Sequence, residues 1–118
     1  MINTIITDTA EYKTIIKCTS KLTTAVKNNI TALSGHLLSN ELISSDNDTD
    51  LRNTQLSELD RAAKLVQLVR CRVQLSPVNF HKFIKVLEEE KQNYEHIIVD
   101  LKETFDSLKE GNIIIYTQ

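Results

Sequence analysis

The chain has no tryptophan, one proline and two glycines among its 118 residues, and aromatics make up only 5%. So few breakers disfavour a turn-rich β-sandwich and favour helices. The two glycines, Gly35 and Gly111, lie too far apart to form a glycine-rich phosphate loop. The two cysteines, Cys18 and Cys71, lack metal-type spacing and read as reduced thiols. Cys71 lies between Arg70 and Arg72, but no partner base is evident. His36, His81 and His96 show no ligand spacing either. No enzyme activity, metal or cofactor is therefore expected. No apolar run approaches the roughly 18 residues of a membrane-spanning helix. The start, Met1-Ile2-Asn3-Thr4-Ile5, lacks the basic region and long apolar core of a signal peptide. The sequons at Asn29 and Asn47 accordingly read as chance, and a cytoplasmic location is expected. The net charge of −2 lacks the basic excess of a general nucleic-acid binder.

Apolar residues make up 41% of the chain and charged residues 25%, the balance of an ordinary soluble domain. Leu, Ile and Val must supply the core. Ile15, Leu22, Val26, Ile30 and Leu33 fall on one stripe of a 3.6-residue period and predict a first helix, ending or bending at Asn28-Asn29. A second helix is expected from a Thr31 cap, with Leu33, Leu37, Leu38 and Leu42 inward. Ser44 to Asp48 reads as a turn, followed by a short helix near Thr49 to Asn53. Ser57-Glu58-Leu59-Asp60 outlines a capping box for a fourth helix, with Leu59, Ala62, Leu65, Val66, Val69 and Val73 as its stripe. Ser76-Pro77 opens a fifth, with Phe80, Phe83, Ile84 and Leu87 inward. Asn93 is read as the cap of the last, whose buried face carries Tyr94, Ile97, Ile98, Leu101, Phe105 and Leu108; Gly111 is its expected stop. Residues 1–10 are read as a flexible lead-in, 11–110 as the domain, and 111–118 as a tail or the start of a linker. The architecture expected is an all-α, six-helix antiparallel bundle.

Three segments carry a family resemblance: Leu33 to Ile43, Asp60 to Val69, and Asn79 to Glu89. The chain from Leu22 to Phe105 resembles a caspase recruitment domain, a branch of the death-fold superfamily. The resemblance implies a Greek-key helical bundle without catalysis. It also implies homotypic binding to other caspase recruitment domains, with possible self-assembly into helical oligomers, in apoptotic or innate-immune signalling. Such a chain would be an adaptor, an inhibitor, or a domain of a larger receptor or protease. The family commonly carries Gly in the turn after its second helix, where this chain has Asn40-Glu41.

Charge is segregated along the chain. From Lys13 to Lys27 there are lysines and no acid; Glu41 to Asp60 is acidic but for Arg52; Arg61 to Leu87 is basic without an acid. Lys13, Lys17 and Lys21 stand four apart, as on one helix ridge. The resemblance makes the first and fourth helices neighbours. It thereby implies a basic interaction face of Lys17, Lys21, Arg61 and Lys64, and an acidic one of Glu41, Asp46, Asp48 and Asp50. Complementary faces of this kind form heterologous contacts that can propagate. The alternative is a helical domain that binds nucleic acid or anions through the same cations, but no aromatic is interleaved among them. The Lys13 to Leu22 segment has no Trp or Phe to anchor it in a membrane surface.

Overall fold

The computed structural model describes residues 9–117, with side chains through residue 109. Among the described residues, seven helices follow one another: α1 (Ala10–Lys17), α2 (Thr19–Val26), α3 (Ile30–Ser39), α4 (Ser45–Leu51), α5 (Glu58–Leu75), α6 (Val78–Glu89) and α7 (Lys91–Thr117). The all-α expectation holds, but the count is seven rather than six.

The extra helix arises because the first segment is interrupted at Cys18, whose φ of −97° and ψ of 7° leave the helical range. The interruption is a kink, since Leu22 N–H still donates to the Cys18 carbonyl at 2.8 Å. Threonine chemistry accounts for it. Thr14, Thr19 and Thr23 donate their hydroxyls back to the carbonyls of Ala10, Ile15 and Thr19 at 2.7–2.8 Å. Such back-bonding competes with the backbone ladder and bends helices. The buried Cys18 Sγ lies 3.7 Å from Thr104 Oγ1, which ties the kink to α7.

Local starts and stops follow side-chain chemistry, with some shifts from expectation. Asn29, not Thr31, precedes α3, and it makes no side-chain cap. The Ser44 to Asp48 stretch is the opening of α4 rather than a turn. Ser44 Oγ accepts from Asn47 N–H at 3.1 Å, and Asn47 Oδ1 accepts from Ser44 N–H at 3.0 Å. Residues that favour turns also favour N-caps, so composition alone left the two undivided. Ser57 caps α5 as expected, accepting from Asp60 N–H at 3.0 Å. Pro77, already helical in backbone, leads into α6, although Ser76 contributes no side-chain cap there. Helix α7 begins at Lys91, so Asn93 lies inside it, and α7 runs past Gly111 to Thr117. A glycine costs a helix interior only about 1 kcal/mol, and no proline follows to enforce a stop. The expected lead-in falls mostly on residues 1–8, outside the described residues, as does Gln118.

The turn from α3 to α4 departs from glycine chemistry. Leu42 N–H donates to the Leu37 carbonyl at 2.9 Å, and Glu41 N–H to that of Leu38 at 3.0 Å. This is a Schellman closure, and its left-handed residue is Glu41, with φ of 60°. Both Leu37 and Leu42 are buried, and they close the turn against the core.

Helix α5 packs against α1, α2, α3, α4 and α6, while α7 lies across α1, α2 and α6. Every residue of the expected first stripe is buried, as are Ala62, Leu65, Val66, Val69 and Val73 of α5 and Phe80, Phe83, Ile84 and Leu87 of α6. Each large aliphatic buried in this way contributes about 1.5–3 kcal/mol. Leu38, Phe105 and Leu108 are half-buried, and Leu59 is exposed, because it lies in the first turn of α5 ahead of the first buried residue. The rings of Phe80 and Phe105 meet at 5.2 Å, with His81 edge-on to both, and they weld α6 to α7.

Candidate functional site

The charged residues singled out in the sequence divide by what they touch. Asp48 is a structural strut. Ser34, fully buried on α3, donates its hydroxyl to Asp48 Oδ1 at 2.6 Å. Arg52 Nε donates to both carboxylate oxygens, at 2.9 and 3.0 Å. The Ser34 hydroxyl foremost, then the Arg52 guanidinium, hold the Asp48 carboxyl below the usual carboxylate value, against the burial that would raise it. The Asp48–Arg52 spacing of four was visible in the sequence. Its anchoring to Ser34, across the α3–α4 turn, was not.

Asp50 and Lys64 face each other rather than solvent alone: Lys64 Nζ donates to Asp50 Oδ2 at 3.2 Å. The basic and acidic sets therefore meet within one molecule, where α4 packs on α5. Arg61 is half-buried beside them and donates through Nη1 to the Leu51 carbonyl at 3.2 Å. Lys21 lies on another side, paired with Asp100 of α7 at 3.6 Å. Lys17, Glu41 and Asp46 are exposed and make no ion pair among the described residues. The kink at Cys18 places Lys17 and Lys21 on separate helices, so the ridge of lysines is not continuous.

The Lys21–Asp100 pair spans an open groove between α2 and α7, lined also by Thr24, Gln92, Tyr94 and His96. Burial, then the Glu90 carboxylate, push the Tyr94 phenol up. His36 sits between Glu89 and Glu90, 3.8 Å from each, and His81 Nε2 lies 3.3 Å from Glu11. These two histidines thus bridge helices by contacts that their spacing in the chain does not reveal.

Sequence periodicity passed over the exposed Leu56, Leu75 and Val78, and it placed Leu59, also exposed, on the inward stripe. Leu75 and Val78 flank the α5–α6 turn, and Leu56 and Leu59 flank the start of α5. The Ser76-Pro77 break was the available signal for the first pair, because side chains beside a helix junction lie beyond the packed stripe. No family model, curated protein or solved structure matches the chain.

Proposed function

We propose that the chain is an interaction module of the caspase recruitment kind, which assembles with similar domains through oppositely charged patches. One observation carries the reading. Most charged residues of the two sets are used inside the molecule, whereas Lys17 on α1 and Glu41 and Asp46 around the α3–α4 turn remain exposed and unpaired among the described residues. The left-handed turn at Glu41 supports it, because it falls where the resembled family commonly carries glycine. The all-α bundle supports it as well, with its core on the stripes that carry the resemblance. In this reading the module has no chemistry of its own. It recruits a protease or adaptor in apoptotic or innate-immune signalling.

The test is charge reversal at the unpaired positions. Lys17→Glu should reduce self-assembly, read by light scattering, and Asp46→Lys in the same chain should partly restore it. Arg61 is unsuited to this test, since its reversal would also break the bond to Leu51. An assembly indifferent to both changes, in a chain that also binds no caspase recruitment domain, would overturn the reading. Salt-sensitive binding to random oligonucleotides, lost with Lys17→Glu, would replace it with nucleic-acid binding.

A further inference from the structure

Helix α5 ends in two exposed apolar corners of opposite charge. Its eighteen residues span about 27 Å at 1.5 Å per residue. At its C-terminal end Leu75 is 81% exposed and, across the turn, Val78 is 63% exposed. Large aliphatics so exposed, side by side at one corner, are candidates for contact with a partner.

The cations around that corner are unneutralised. Arg72 stands one turn before Leu75, and Lys82 and Lys85 follow Val78 on one ridge of α6 at spacings of four and seven. None of the three makes an ion pair among the described residues, while Lys21, Arg52, Lys64 and Lys102 all do. No acid occurs between Arg61 and Leu87 to balance them.

The other corner has the complementary character. Leu59 is 58% exposed, and Leu56, just before the Ser57 cap, is 40% exposed. Glu58 and Asp60 flank Leu59, both exposed and without an ion pair among the described residues. Their position is favourable within the fold, since acids complement the N-terminal end of a helix dipole and cations its C-terminal end.

From this pairing we infer that a second copy of the chain docks head to tail along α5, its Leu56/Leu59 corner on the Leu75/Val78 corner of the first. Arg72 and Lys82 then face Glu58 and Asp60 of the copy. Charge complementarity selects a second copy as the occupant, because both halves of the contact are on this one chain. An anionic membrane could meet the basic corner but would leave the acidic apolar corner without a role. The contact joins two different patches, so each copy leaves one patch open and the assembly can extend. Each corner is small beside the roughly 1,200 Å² of a stable interface, so each contact is weak and the assembly grows only at high concentration of the chain. The inference rests on the reading of the chain as a self-assembling module, but on residues outside the faces proposed for it.

The test is disulfide trapping between two populations of the full chain. Both carry Cys71→Ser, which removes the exposed native thiol. One carries Leu75→Cys and the other Leu59→Cys. Mild oxidation of the mixture should give the mixed dimer in several-fold excess over either population alone. Adding Asp60→Lys to the Leu59→Cys partner should reduce that yield, and Arg72→Glu on the Leu75→Cys partner should recover it. All of these positions except Arg72 are exposed, and circular dichroism melting checks that each variant folds. A mixed-dimer yield no higher than that of either population alone overturns the inference. So does trapping only on anionic vesicles. Lys17→Glu separates the two proposals: trapping that persists while Lys17→Glu leaves assembly unchanged upholds this contact and sinks the charged faces, and the reverse pattern sinks this contact alone.

Discussion

Single residues carry two of the fold's costs and supports. Glu41 occupies a left-handed position, where an L-residue with a side chain is disfavoured by about 1–2 kcal/mol. Glu41→Gly should therefore raise unfolding free energy by about 1 kcal/mol in urea titrations, after the entropy that glycine loses on folding is offset. Ser34 works in the other direction. Its hydroxyl bonds an ionised Asp48, and hydrogen bonds to charged groups contribute about 1.5–3 kcal/mol. Asp48 is partly accessible to solvent, so Ser34→Ala should cost about 1–2 kcal/mol. The pH dependence has a definite sign. Asp48 is depressed in the folded state, so its stabilisation is fully present above the unfolded value of about 4 and is lost as pH falls through the folded value below that. Ser34→Ala should thus flatten the acid limb of stability measured from neutrality to below pH ~3.

Helices are set by caps and by the threonines that interrupt them. The Ser57 cap satisfies one of the orphan amides of α5, and Ser57→Ala should destabilise the domain by about 1 kcal/mol. Leu22 is fully buried just after the kink at Cys18, and Leu22→Ala should cost about 2–5 kcal/mol by thermal or chemical unfolding. Much at this scale was legible in advance. The stripes of the first segment, α5, α6 and α7 were readable because a 3.6-residue period repeats the core face without reference to neighbours. The kink was not readable as a kink. Thr14, Thr19 and Thr23 can point to solvent or bond backward, and the sequence does not distinguish these. The α4 start was misplaced for a related reason, as Ser, Asp and Asn serve turns and caps alike.

At the scale of the whole molecule, pairing decides which charges remain for a partner. Lys64 and Asp50 neutralise each other across the α4–α5 contact, and Lys21 is engaged by Asp100. Exposed pairs of this kind contribute about 0–1 kcal/mol to stability, so their main effect is on the surface potential. Assembly through the remaining unpaired groups should weaken between about 0.01 and 0.15 M salt, as the screening length falls from about 30 to 8 Å. Sedimentation velocity across that range checks it. An apolar contact between the ends of α5 would persist to higher salt than one of charge alone.

The sequence by itself determined the all-α class, most of the core and the cap at Ser57, because these depend on period and local hydrogen bonding. It also carried the alternation of charge along the chain. Tertiary structure decided what that charge is used for. Asp48 became a strut because the α3–α4 turn brings Ser34 within 2.6 Å of it. Lys64 became Asp50's partner because α4 packs on α5. Leu59 and Leu75 were left in solvent because, among the described residues, no neighbouring helix covers the two ends of α5. A linear pattern can say that a side chain is apolar or charged, but only the packing of distant segments supplies or withholds its partner.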